Sequence, residues 1–213
     1  MTGQISMIKY ICLIFLFVQS CAYIDYSNLP SAVNKLFVGV KDFKISQEYY
    51  ETRKFSFAKV RVGRSGASIF VLSEIRPNSK YVWISEDNER LITKNGKIIA
   101  LYSDPEFSFN LLEELAFNYS ENLSSLTYLI KFHHPEAFFE QTSSLDLYKE
   151  NVELYRLGET VYVNQFNERI TTNKLRWNYI NTYQLNNKGV VLQSEQYIHP
   201  NLPKISIEYY YKY

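Results

Sequence analysis

Cys21 is the residue whose setting most directly implies chemistry. It closes the run Val18-Gln19-Ser20-Cys21, with an apolar residue three positions before it and a small one immediately before it. That pattern fits a bacterial lipobox, in which the leader is cut before the cysteine, the thiol takes a diacylglycerol and the new amino group is acylated. The alternative is an ordinary signal peptide cut nearby, leaving Cys21 as a free thiol. Other reactive clusters are weaker. His133-His134-Pro135-Glu136 comes nearest to a metal site, but adjacent histidines on a strand point to opposite faces and Pro135 marks a turn. His199 before Pro200 reads as a turn residue. Carboxylate pairs such as Glu86-Asp87 could serve glycoside hydrolysis, which needs carboxyls roughly 5–9 Å apart. Such pairs are common by chance among 22 acids. There is no Gly-x-Ser-x-Gly elbow, no His-Glu-x-x-His and no Walker A pattern. No catalytic residue, metal site or cofactor is expected, and the chain reads as non-enzymatic.

The segment before Cys21 supports the lipobox. Tyr10–Val18 is an unbroken apolar run of nine residues preceded by Lys9. A bilayer core needs about 20 apolar residues, so the run is too short to span and fits the apolar centre of an export signal. Met7 is an alternative start that gives the leader conventional proportions. The organisation expected is therefore a leader over residues 1–20, removed on export, and a single domain over residues 21–213. Ala22 follows the cysteine where Asp would favour retention in the inner membrane, so the outer membrane is expected, with the domain facing the periplasm. Three acyl chains on Cys21 would make a lasting anchor in its lipid. Cys12 leaves with the leader. Removing Lys9 leaves 22 basic against 22 acidic groups, so no field draws in nucleic acid.

Downstream the hydrophobic period is mostly two. Phe55–Val62, Ser68–Ile75 and Tyr81–Ile84 read as strands, separated by turns at Gly63–Gly66 and Arg76–Ser79. Ser85–Asn88 are turn-forming residues. Asn95-Gly96 between two apolar runs is the strongest hairpin signal, because a type I′ turn needs positive φ at both central positions. Residues 106–117 read as an amphipathic helix through Phe109, Leu112 and Phe117, and a short helix is possible over Ser31–Phe37. Strands resume at Leu126–Phe132, Phe138–Tyr148, Val152–Leu157, Thr160–Phe166, Leu175–Leu185 and Val190–Ile198. Lys149–Asn151, Asn167–Asn173 and Asn186–Gly189 read as turns between them. In the terminal Ile205–Tyr213 strand, Tyr209, Tyr211 and Tyr213 are expected to share a core face with Ile205 and Ile207, with Tyr210 on the other. The fold class is all-β, an antiparallel and strongly curved barrel-like or split-barrel sheet of about ten or eleven strands, with one or two short helices.

Trp83-Ile-Ser-Glu-Asp87-Asn88 followed by Leu91–Lys94, Asn95-Gly96 and Lys97–Ile99 resembles the signature of the YjbF family of lipoproteins, which includes the group 4 capsule polysaccharide lipoproteins. Trp177, Asn181-x-Tyr183, Gly189-x-Val191, Ser194-x-Gln196 and Pro203 are similar to that family's final hairpins. Ala100–Leu175 is similar only in strand pattern and length. The resemblance implies a barrel-like lipoprotein serving capsule or exopolysaccharide export. It brings no catalytic residue with it. On the residues alone, Trp83 reads as a core anchor with Ser85–Asn88 as a turn, or as part of a binding surface.

The expected function is assistance of polysaccharide export or assembly, by binding the glycan or by docking on export proteins. Tyrosines combine an apolar ring with a hydroxyl and could stack on sugars. The candidate glycan or partner surface is Trp83, Asp87, Asn88, Trp177, Tyr183 and Tyr210. The alternatives are a barrel that shelters a lipid or acyl chain, and a polysaccharide-modifying hydrolase.

Overall fold

The computed structural model describes residues 43–104, 107–111, 119, 125–133, 137–172 and 177–212. Twelve antiparallel strands run β1 (Phe57–Val62), β2 (Ala67–Arg76), β3 (Lys80–Ser85), β4 (Arg90–Lys94), β5 (Lys97–Asp104), β6 (Phe107–Leu111), β7 (Leu126–His133), β8 (Ala137–Arg156), β9 (Glu159–Thr172), β10 (Trp177–Leu185), β11 (Val191–Gln196) and β12 (Ile205–Tyr210). Each strand pairs with its neighbours in sequence, and β1 pairs with β12 from Phe57 opposite Tyr210 to Val62 opposite Ile205. The barrel is closed, with no edge strand in the ring.

Alternation along each strand sends one set of side chains into the lumen. A twelve-stranded barrel is wider than the eight-stranded kind that ordinary side chains just fill. Large rings fill this one, among them Trp83, Tyr128, Tyr183 and Tyr209, with Leu91, Ile98, Ile130, Ile205 and Ile207 between them. This gives the tyrosine-rich composition a structural role. Outward positions include the exposed Glu74, Arg90, Glu140 and Arg169.

Among the described residues, a short helix, α1 (Gln47–Thr52), precedes the barrel. The Ser46 side chain caps it by accepting from Tyr49 N at 3.1 Å. Its Tyr49 and Tyr50 lie against Phe57 and Tyr210, which face outward from β1 and β12, so a second apolar cluster forms outside the wall.

Several details differ from the reading by pattern. The barrel has two or one more strands than the ten or eleven expected; of the two expected forms, barrel-like and split, it takes the closed barrel. Residues 107–111 form strand β6 rather than the start of a helix, since Phe107, Phe109 and Leu111 alternate with Ser108 and Asn110 and the segment completes ladders on both sides. Residues 112–118 of that expected helix, and the one over 31–37, lie outside the described residues. Asn167–Thr172 continues β9 instead of turning, because Glu168, Ile170 and Thr172 face inward and are buried there. Lys149–Asn151 is a bulge within a continuous 20-residue β8, with Asn151 at φ 50°.

Candidate functional site

The lumen holds an ion pair between Lys97 on β5 and Glu168 on β9, both buried. Glu168 Oε1 also accepts from Ser143 Oγ at 2.8 Å, and Oε2 accepts from Tyr183 OH at 2.7 Å and Asn181 Nδ2 at 3.1 Å. Lys97 Nζ donates to Tyr128 OH at 3.3 Å. Burial works to raise the Glu168 pKa, but the Lys97 charge and the hydrogen bonds from Lys97, Tyr183 and Ser143 hold it below the usual carboxylate value. Burial in turn pulls Lys97 below its ordinary value, against the attraction of Glu168. Burial, and then the Glu168 charge, push the Tyr128 and Tyr183 hydroxyls well up, so both stay protonated, Tyr183 as a donor to Glu168 and Tyr128 as an acceptor from Lys97.

This network is packed shut. An opening of about 10 Å³ beside Lys97, Tyr128 and Asn181 holds at most about one water. Among the described side chains, the space beside this ion pair has no room for an acyl chain. The arrangement serves to organise the barrel. The Asn95-Gly96 hairpin (φ 49° and 76°) curls into the lumen, where Gly96 O accepts from Gln196 Nε2 at 2.8 Å and from Tyr209 OH at 2.9 Å. Gln196 Oε1 accepts from Ile98 N at 2.8 Å. Among the described residues, no group of three or more His, Cys, Asp or Glu is placed to hold a metal ion.

Accessible chemistry lies at the other side of the wall, on a β-arm. Beyond the bulge, β8 and β9 pair only with each other, from Val152 opposite Val163 to Arg156 opposite Glu159. Leu157 (φ 52°) and Gly158 (φ 84°) make the tight turn at its tip. The arm folds back over β11 and β12. Arg156 donates from Nη1 to Leu192 O at 3.3 Å and from Nη2 to Tyr209 O at 2.7 Å. The guanidinium thus bridges the two strands just past the end of their ladder at Gln193 opposite Glu208, and it lies 4.5 Å from the Tyr210 ring centroid. Leu157 packs beside Phe57 and Tyr210.

The arm has two unlike faces. Val161, Val163 and Arg156 turn toward the barrel, enclosing a cleft of about 450 Å³ whose lining also includes Tyr50, Glu159, Lys188 and Tyr210. Glu153, Tyr155, Thr160 and Tyr162 turn to solvent. Tyr155 is 70% exposed, Tyr162 56%, and Tyr148 at the bulge 66%, and no side-chain hydrogen bond or ring contact occupies any of them among the described residues. Register makes Tyr155 and Tyr162 diagonal neighbours on one face.

Arg156→Met is expected to loosen the arm, removing hydrogen bonds worth about 1.5–3 kcal/mol for a charged donor. Amide exchange over Val152–Val163 should then accelerate about tenfold or more. Exchange rates equal to those of the parent would show that Arg156 does not hold the arm.

The sequence-based candidates do not assemble into one surface. Trp83 and Tyr183 are sealed in the lumen, Trp83 donating to Thr93 Oγ1 at 2.9 Å and Tyr183 to Glu168, so neither offers a face to an outside ligand. Asp87 and Asn88 are exposed on the β3–β4 turn, and Trp177, part-buried and 4.2 Å from the Tyr179 ring, starts β10 at the same end. Tyr210 is at the opposite end, outside, 4.8 Å from Phe57 in a near-parallel stack. Cys21 and His134 lie outside the described residues. Sequence reasoning passed over Lys97 and Glu168, because one sat in a hairpin and the other in an apparent turn. It also passed over Tyr148, Tyr155, Tyr162 and Arg156. The one available signal was their clustering around Leu157-Gly158, a tight-turn pair with aromatic flanks.

Residues 124–210 match the model of the family described as "Group 4 capsule polysaccharide lipoprotein gfcB, YjbF". The resemblance to the YjbF family is borne out. The YjbF match runs from the start of β7 to the end of β12, so it contains the arm, Glu168 and the Asn181–Gln196 stretch, whereas the Trp83–Ile99 segment lies outside it. It also extends through much of the region that resembled the family only in strand pattern. A crystal structure of the hypothetical lipoprotein YmcC from Escherichia coli (K12) is similar in fold, with a TM-score of 0.68 at 18% identity, over 80% of this chain and 90% of that one. No curated protein sequence matches the chain.

Proposed function

We propose that this YjbF-like barrel is a non-enzymatic accessory of capsule or exopolysaccharide export that holds glycan on the outer face of its arm. The observation that carries the reading is the pair of exposed tyrosines Tyr155 and Tyr162 on one face of a two-stranded ribbon, with Tyr148 exposed at the bulge where the ribbon begins. Burying such rings in the core would have stabilised the fold, yet they stand in water. Rings of this kind stack on the apolar faces of sugars while Glu153 and Thr160 between them suit sugar hydroxyls. The family's description as a capsule polysaccharide lipoprotein supports the same ligand class. In this reading residues 1–20 are removed, acylated Cys21 anchors the single domain of residues 21–213 to outer-membrane lipid, and the barrel faces the periplasm beside the export proteins.

Soluble Ala22–Tyr213 titrated calorimetrically with the host's purified polysaccharide should bind saturably. Two stacked rings contribute about 0.5–1.5 kcal/mol each beyond their buried area, so Tyr155→Ala with Tyr162→Ala should weaken binding about tenfold or more. Trp83, enclosed in the lumen, should give no fluorescence response. A flat titration, or a double variant that binds like the parent, would sink the glycan-holding role. Surface polysaccharide unchanged in amount and length after clean deletion would sink the export role.

A further inference from the structure

The cleft beneath the arm is a different place from the tyrosine face, and its chemistry is different. Its lining carries two cations, Arg156 and Lys188, against one carboxylate, Glu159. Arg156 is half-buried, and both of its hydrogen bonds end on backbone carbonyls; it forms no ion pair among the described residues. A guanidinium offers five N–H donors in a planar fork, so donors remain beyond those given to Leu192 and Tyr209. Inside the fold the guanidinium charge meets the Tyr210 ring at 4.5 Å and the attraction of Glu208 on β12. Lys188 extends from the β10–β11 turn with no side-chain partner among the described residues. Leu157, Val161, Val190 and Leu192 supply apolar wall, and about 450 Å³ is the size of a small-molecule site.

We infer that this cleft binds a carboxylate-bearing sugar unit of an acidic polysaccharide. The carboxylate would meet the free edge of Arg156 and the Lys188 ammonium, while the pyranose ring lies against the apolar wall and Tyr50. Planar, two-point recognition of a carboxylate is what a guanidinium does better than an ammonium. Glu159 faces the same space, so the lining keeps one net positive charge for one sugar carboxylate. The inference deepens the glycan reading by naming an acidic sugar, yet uses residues that the tyrosine face does not.

The test titrates the purified full-length chain in detergent with trigalacturonate and, separately, with neutral maltotriose. Trigalacturonate should bind saturably and maltotriose about tenfold more weakly or worse. Lys188→Glu, a surface change, should weaken trigalacturonate by about tenfold or more without moving the melting temperature. Equal affinity for the two oligomers, indifference to Lys188→Glu, or displacement by equimolar inorganic phosphate would overturn the assignment, the last because any anion would then do. If trigalacturonate fails while the host polysaccharide still depends on Tyr155 and Tyr162, the acidic-sugar cleft falls and glycan holding by the arm stands.

Discussion

Lys97→Met should be among the most destabilising single substitutions in this protein. Glu168 would keep its place in the lumen with Ser143, Asn181 and Tyr183 around it, but with no cation. Removing one partner of a buried pair costs about 3–5 kcal/mol, because the other charge is left uncompensated. For a chain of this length that lowers the melting temperature by roughly 10 °C. Replacing both partners, Lys97→Met with Glu168→Leu, should recover part of the loss, because no charge remains unpaired. Recovery is incomplete since Asn181 and Tyr183 lose their acceptor. A single variant within about 1 kcal/mol of the parent would contradict an ion pair sealed from water.

Acid titration sharpens that result. In the parent, Glu168 is more acidic folded than unfolded. Its contribution is therefore present above the unfolded carboxylate value of about 4.3 and is lost as pH falls through the lower folded value. In Lys97→Met the opposing term is gone and burial raises the carboxyl. Protonation then relieves the variant, so the gap in stability between parent and variant should narrow on acidification below neutral pH. A gap that widens would show that Lys97 is not what keeps Glu168 ionised.

Gly96→Ala should fail for a reason that a matched control isolates. Gly96 has φ 76°, and a Cβ placed there would sit 2.6 Å from Val191 Cγ1 and 2.7 Å from its Cβ. Left-handed backbone costs a residue with a Cβ about 1–2 kcal/mol, and forcing a methyl into a packed wall adds about 1–3 kcal/mol. Gly189 has nearly the same φ, 75°, with nothing within 4 Å of its would-be Cβ. Gly189→Ala should therefore show the backbone cost alone. Thermal unfolding of the two variants reads the difference, and equal losses would mean that the Val191 contact is irrelevant. The larger loss at Gly96 also bears on the site, since its carbonyl holds Gln196 and Tyr209 in the lumen.

Trp83 and Tyr183 show how far the residues could be read without the fold. Trp83 was legible as a core anchor, and it is one, because an alternating strand with a bulky ring already says which face is buried. Tyr183 was assigned to a surface, yet its ring lies in the lumen with its hydroxyl on Glu168. Nothing within a few residues of Tyr183 reveals that partner. Glu168 is invisible for the matching reason: an acid in a polar run looks like turn until Lys97, 71 residues earlier, is brought beside it. The exposed tyrosines of the arm could not be told from core tyrosines, since both alternate with polar residues.

Local chemistry settled by itself what depends on neighbours in the chain. Positive φ at Asn95-Gly96 and the turns at Gly63–Gly66, Arg76–Ser79 and Asn186–Gly189 followed from residue type, as did the inward set Ile205, Ile207 and Tyr209 from a period of two. Tertiary structure alone decided closure, because β1 meets β12 across the whole chain length. It decided that Phe107–Leu111 is a strand, since ladders on both sides outweigh a weak helical pattern. It also decided which polar side chains sit in the lumen and which tyrosines stay in water. Those outcomes are set by packing and desolvation between strands far apart in sequence, and a pattern within one strand carries no information about what it will face.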